Sequence, residues 1–439
     1  MRSISMRARR RWLSTAAALV VTGLVVVSCS SSNTPSGGGG NANVAVTKQP
    51  VTLRVDLFGD FGYHDLYKQF QAKYPNITIK EDVEQYADHH NNFAKHVAAG
   101  SGADDVVAVE VGYIAQFKAQ PQNFYDLRQY GADKLKSQWL PWKWDQSLAT
   151  NGAQIGFGTD VGSLAICYRR DLFEKAGLPA DRDQVSALWP DWASFVSVGE
   201  QFQQKAPAGT YFFDSGSNVY NAMIGQVNPA YYDQGGSVVA SSNASVKQAW
   251  DLTMQAVQKK QSAGYAAFSD EWNTGFKKGT FATVTCPAWM MGYIQGQAPD
   301  TTGKWDVAAV PGSGGNWGGS FLTIPRQSKH PREAYELIKF LTSPEAESFI
   351  FKQTGNLPSQ PALYADAAIS TFNNPFFNDA PVGQIFTTSA KRLQPQILGP
   401  KQGDIQTAAS NAIQRVEQGK QTPDQSWQQF LKDVENLTA

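Results

Sequence analysis

The sequence predicts an α/β protein built as two lobes, and three observations carry that expectation. From residue 51 onward, segments with the two-residue period of strands alternate with segments of helical period. That is the rhythm of a parallel sheet covered on both faces. About 390 of the 439 residues follow an N-terminal leader and a low-complexity stretch, enough for two lobes with full cores. No internal repeat divides the chain, so one compact two-lobed unit is expected.

The elements follow in order. VTLRVDLF at 51–58 alternates apolar and polar residues and reads as a strand. Gly59 and Gly62 then bracket a loop holding Asp60 and Phe61. A helix is predicted over 64–73, with Leu66, Phe70 and Tyr74 at helical spacing, and Pro75-Asn76 breaks it. A strand returns at 77–80, and a second helix over 84–99 ends at the glycines of 100–102. Residues 106–109 are a short buried strand closed by Glu110, and the pattern continues through 155–168 to a helix beginning near Asp171. Residues 329–341 form an amphipathic helix with Pro331 in its first turn, where proline is tolerated. Further helices are predicted near 404–418 and 424–436, each opened by an aspartate.

The N-terminus points to export. Arg2, Arg7, Arg9, Arg10 and Arg11 precede an apolar run at 16–27, too short to span a bilayer and right for a signal-peptide core. The run ends in Val26-Val27-Ser28-Cys29, which resembles the bacterial lipobox, and this implies cleavage after residue 28 and lipidation of Cys29. The alternative is an ordinary secretory signal with Cys29 incidental. Residues 30–49 are mostly Ser, Gly, Asn and Thr and cannot build a core. As a flexible tether they would reach about 25 Å.

The 38 basic and 38 acidic residues balance, but five of the arginines lie in the leader, leaving 33 against 38 and a net of −5. No basic face for nucleic acid is present, so that partner is not expected. Besides Cys29 the chain has Cys167 and Cys286, an even count for an oxidising compartment, which reads as a disulfide or as two separate buried thiols.

Four segments, in order, resemble the family 1 extracellular solute-binding proteins of ABC importers. They are FQAKYPNITI at 70–79, LAICYRRDLFEKAGL at 164–178, GTFATVTCPAW at 279–289, and GGSFLTIP at 318–325 followed by SKHP at 328–331 and FLTSPE at 340–345. Within that family the Ala87-Asp88-His89-His90 stretch, Cys167 and Cys286 are most similar to actinobacterial cellobiose- and cello-oligosaccharide-binding lipoproteins. The resemblance implies a type II periplasmic-binding-protein fold. One lobe would comprise 51–157 plus 327–372 and the other 160–315 plus 380–439, with crossovers near Gly158 and Ser320. It also implies a monomer that is not an enzyme and needs no cofactor. Such a protein would capture an oligosaccharide by hinge closure and present it to transmembrane permease subunits at the outer face of the cell membrane.

Sugar recognition needs aromatic planes and hydrogen-bonding groups for each buried hydroxyl. The candidates are Asp60 and Phe61 after the first strand, Glu110 at the end of another, and Asp160 where the resemblance places the first crossover. Trp289 matches the family's sugar-stacking tryptophan, and Trp317 sits in a glycine-rich loop. Tyr220 and Asn221 read as part of a polar loop. Each has a plainer alternative: a turn for Asp60, a strand-end charge for Glu110, core for the tryptophans. Trp250, Trp272 and Trp305 lie inside periodic segments and read as core. Two other functions compete. His89, His90 and His96 suggest a zinc site, although a solvated helix face explains them more simply and no metal ligand set is complete. Glu110 and Asp160 suggest the carboxylate pair of a glycoside hydrolase.

Overall fold

The computed structural model describes residues 45–439; the leader, Cys29 and most of the tether lie outside the described residues. Two sheets organise the chain. The first contains β1 (Val51–Phe58), β2 (Ile77–Glu84), β3 (Val106–Glu110), β4 (Gly156–Gly158) and β9 (Ser320–Thr323), in the spatial order β2-β1-β3-β9-β4. β1 runs parallel to β2 and β3, as the alternating pattern predicts, whereas β9 returns antiparallel between β3 and β4. The second sheet contains β5 (Leu164–Arg169), β6 (Tyr211–Phe213), β7 (Phe281–Pro287) and β8 (Trp305–Ala308), ordered β6-β7-β5-β8. Both sheets are therefore mixed, and each recruits a strand from far along the chain.

Local chemistry sets the elements. β1 buries Leu53, Val55 and Leu57 on one face of its alternation. The helix His64–Lys73 buries Leu66, Tyr67 and Phe70, spaced as one apolar stripe, and ends before Pro75. The next helix is Tyr86–Ala99, starting two residues later than its periodicity suggests because Glu84 still pairs with Phe58 in the sheet. Gly100, at φ 68°, caps it in the left-handed region.

The cores divide with the sheets. Leu53, Val55, Val106 and Leu322 pack with Tyr335 and Ile338 of the helix Pro331–Leu341. Ile166, Phe195, Phe212 and Trp250 pack under the second sheet with Ile413 and Phe430 of the helices Gln402–Glu417 and Pro423–Thr438. The first lobe's C-terminal segment is shorter than the 327–372 expected. Leu363, Tyr364 and Ile369 pack with Val284 and Trp305 of the second sheet, so the chain has recrossed by residue 357. Trp250, Trp272 and Trp305 are fully buried core, as their periodic segments predict.

Cys167 and Cys286 form a disulfide between the neighbouring antiparallel strands β5 and β7, with a Cα–Cα separation of 5.4 Å. It closes a loop spanning a sequence separation of 119. A loop of that length stabilises the folded state by about 4–5 kcal/mol in the chain-entropy account.

Candidate functional site

Three lengths of chain pass between the sheets, at 159–163, 309–319 and 355–357, and they are tied together. Val161 N donates to Leu357 O (2.8 Å), Trp317 N to Gly162 O (2.8 Å), and Gly162 N to Asn316 Oδ1 (2.9 Å). A Cβ on Gly162 would lie 1.9 Å from Trp317 O, so only glycine permits this crossing.

Asp160 belongs to this junction. It is buried, and its Oδ1 accepts from Ser320 N (2.9 Å) and Thr159 Oγ1 (2.7 Å). Lys143 is buried beside it, with Nζ 3.9 Å from the centroid of the Phe321 ring. Burial lowers the Lys143 ammonium to about 8, against the pull of Asp160, Glu110 and Glu347. Burial likewise raises the Asp160 carboxyl, although Lys143 and its two donors oppose it. Asp160 thus ties the first crossing to the start of β9.

The lobes face each other across a narrow slot of ≈ 20 Å³. Glu110, Val111 and Gly112 line it from the end of β3 and the helix Val111–Lys118. Asn221, Ile224 and Gly225 come from the helix Gly216–Ile224 and its cap. Asn316, Trp317 and Gly318 come from the second crossing, and Gln396, Leu398, Gln402 and Gln406 from the C-terminal segment. A cavity of this size holds about one water molecule. A larger open depression of ≈ 250 Å³ lies along the helix Asp270–Lys278, but a single lobe lines it and none of the candidate site residues touches it.

Glu110 is held from several sides. Its carboxylate caps the helix Val111–Lys118 by accepting from Gly112 N (2.6 Å), and Tyr86 Oη donates to Oε2 (3.1 Å). Burial raises the Glu110 carboxyl to about 7, while those two donors and Lys143 pull it down. Behind it, Glu110 N donates to His90 Nε2 (3.0 Å), and His90 Nδ1 lies 2.8 Å from Tyr86 O. Burial, with His89 adjacent, pushes His90 down to about 3, so its ring is a neutral acceptor for Glu110 N. Tyr113 stacks on His90 at 4.1 Å. The histidine stretch is therefore no solvated face. His89 and His90 are buried, and His89 bridges Asp56 Oδ1 (3.0 Å) and Ala108 O (2.7 Å). Among the described residues no group of three or more His, Cys, Asp or Glu is placed to hold a metal ion.

The other predicted residues disperse. Asp60 is exposed and its carboxylate accepts from Gly62 N (2.7 Å), closing the loop as a turn. Phe61 is buried against Phe58 (5.3 Å) and Tyr63 (5.5 Å) in the first core. Trp317 is half-buried and walls the slot. Trp289 stands behind it: its Nε1 donates to Trp317 O (3.1 Å), the two rings meet edge to face at 5.9 Å, and the ring lies nearly parallel to Phe268 at 6.3 Å. Tyr220 and Asn221 are helical and buried, not part of a polar loop. Tyr220 is core, with its hydroxyl against Tyr231 (3.3 Å), while Asn221 reaches the slot. Gln396, Gln402 and Gln406 also line the slot, and glutamines around a helix start carry no local signal in the sequence.

Two α/β lobes joined by three crossing strands around an interlobe slot are the architecture of a periplasmic binding protein. Residues 65–375 match the bacterial extracellular solute-binding protein model, and the chain belongs to that family. A crystal structure of an extracellular solute-binding protein family 1 member is 41% identical, with a TM-score of 0.78, covering 89% of this chain and all of that one. The arabinooligosaccharide-binding protein of Bacillus subtilis (strain 168) is 27% identical over 299 residues. That alignment covers 64% of this chain and 66% of the relative, just short of two thirds of its length. The GacH receptor of Streptomyces glaucescens, solved unliganded and with acarbose, shares the fold at 19% identity and a TM-score of 0.71, over 88% of this chain and 98% of the receptor.

Proposed function

We propose that the protein captures a neutral oligosaccharide between its lobes and hands it to the permease of an ABC importer. The observation that carries this reading is the lining of the slot. The lining holds Asn221, Gln402 and Gln406 with one carboxylate, an indole and no lysine or arginine, while the amides of Asn316 and Gln396 also lie there but bond to backbone groups. Amides and an aromatic plane suit hydroxyls and the C–H face of a sugar ring, and the absence of a cation from the lining disfavours an anionic ligand. The slot is too small for a sugar as it stands, so binding requires the lobes to part about the three crossings and close again. The cello-oligosaccharide resemblance and the arabinooligosaccharide-binding relative nominate two sugar classes.

The reading is of a binder, not a hydrolase. Asp160 is engaged at the crossings and does not line the slot, so the two carboxylates a hydrolase needs do not face one ligand position. Titration calorimetry and thermal melts with cellobiose, cellotriose, arabinobiose and arabinotriose test the proposal. One sugar at 100-fold its Kd stabilises the fold by about 2.7 kcal/mol and is recovered uncleaved. No response to any of them, or release of smaller sugars, refutes it. Tethering through Cys29 at the outer membrane face belongs to the same proposal. Cys29→Ser is expected to release the protein into the medium, and unchanged membrane association would remove the anchor.

A further inference from the structure

We infer that Gln402 and Asn221 make the floor of the slot a reader of free ligand hydroxyls, with Gln402 setting which hydroxyl pattern is accepted. The inference rests on the reading of the slot as a neutral-oligosaccharide site and narrows it to one ligand feature. Twelve buried side-chain polar atoms among the described residues lack a hydrogen-bond partner. Of the residues that carry them, only Asn221 and Gln402 line the slot. Asn221 is 9% exposed and Gln402 3%, so neither oxygen finds bulk water. In both cases the unpaired atom is the amide oxygen, an acceptor.

The two residues are held on separate rigid elements. Asn221 lies in the helix Gly216–Ile224, where its carbonyl accepts from Gly225 N (2.8 Å). Gln402 opens the helix Gln402–Glu417 and donates its backbone N–H to Gly399 O (3.1 Å). The next residue, Gly403, approaches the opposite lobe so closely that a Cβ there would sit 3.0 Å from the Tyr113 ring. Gln402 is thus fixed where the lobes meet. A buried acceptor left unpaired is costly, and a ligand that donates to it relieves that cost. A hydroxyl donates; a deoxygenated carbon does not. Glu110, the carboxylate of the slot, accepts from Gly112 N and Tyr86 Oη through Oε2, whereas the two amide oxygens are the fully buried acceptors of the lining without a partner.

The test is a cycle across protein and ligand. The tightest binder among cellobiose, cellotriose, arabinobiose and arabinotriose is compared with its set of monodeoxy derivatives by calorimetry. For wild type, at least one derivative is expected to bind about tenfold or more weakly. In Gln402→Leu that penalty shrinks to within about twofold, while the other derivatives keep their wild-type ratios. Gln402→Glu, which keeps an acceptor, retains the penalty, and it answers the question alone if the leucine variant folds poorly. Because Gln402→Leu removes an unpaired buried oxygen, its unliganded melting temperature is not expected to fall. Equal weakening of every derivative by Gln402→Leu, or loss of the penalty in Gln402→Glu, overturns the inference and leaves the sugar-binding reading standing. Failure of wild type to bind any of the four parent sugars overturns both.

Discussion

The strand crossings around Asp160 and the slot floor around Gln402 both bury polar side chains between the lobes, yet they differ in how those groups are satisfied. Asp160 meets a backbone N–H, a hydroxyl and a nearby ammonium, all supplied by the protein. Asn221 and Gln402 keep an amide oxygen that the protein leaves unmet. A buried polar group with partners holds a fold together, and one left without them where a cavity reaches it can take a partner from outside. Burial alone would have ranked the two regions alike.

The largest effect expected from breaking this contrast is on stability. Asp160→Ala removes the acceptor for Ser320 N and strips the buried Lys143 of the leading favourable charge beside it. Leaving a buried donor unpaired costs about 1–3 kcal/mol, and more where a buried charge loses its compensation, so a loss of about 3 kcal/mol is expected. Urea unfolding of the unliganded variant measures it, and a change below about 1 kcal/mol would show that the crossings do not depend on Asp160. Trp317→Ala should do the reverse, leaving the unliganded protein close to wild type and weakening the best sugar by about 30-fold, or 2 kcal/mol. Trp289→Ala acts one layer back, through the hydrogen bond to Trp317 O and the edge-to-face contact. A loss of about tenfold in affinity is expected, against a fall in stability if Trp289 were purely core.

The same contrast explains what could be read without a structure. Strand β1 and the helix His64–Lys73 follow their periodicity to the residue, because one face of each is apolar and the breakers Gly59 and Pro75 are local. Glu110 stands out as the ionisable end of an apolar strand, and it does reach the slot. Asn221 was visible as a polar residue but misplaced in a loop, since Ser215, Ser217, Asn218 and Asn221 favour turns until tertiary burial forces a helix. Phe61 looked free among glycines, yet Phe58 and Tyr63 draw it into the core. Gln402 was invisible. Its significance comes from the slot it shares with Glu110 and Val111 of the other lobe, and no periodicity encodes that.

Glu110 lies between the two extremes, lining the slot while capping a helix, and its titration gives the smallest effect. Burial raises its folded-state value to about 7, above the ordinary carboxylate value near 4.3 of an unfolded chain. Between those values the folded protein binds more protons than the unfolded one, so this group's contribution to stability rises as pH falls. Glu110→Gln fixes the neutral form and removes the dependence at this site, while Asp214 and Glu347, whose shifts do not draw on Glu110, titrate alike in both proteins and Lys143 loses the smaller of its two leading favourable charges. Lowering the pH from 8 to 6 should therefore stabilise wild type relative to Glu110→Gln by about 1 kcal/mol, most of it gained below pH 7. Parallel urea titrations of the two unliganded proteins across that range read the difference directly. If the gap between them stays constant, or widens in the opposite sense, Glu110 is ionised throughout. The end of β3 would then resemble the crossings, where the protein itself supplies a charged group with its partners.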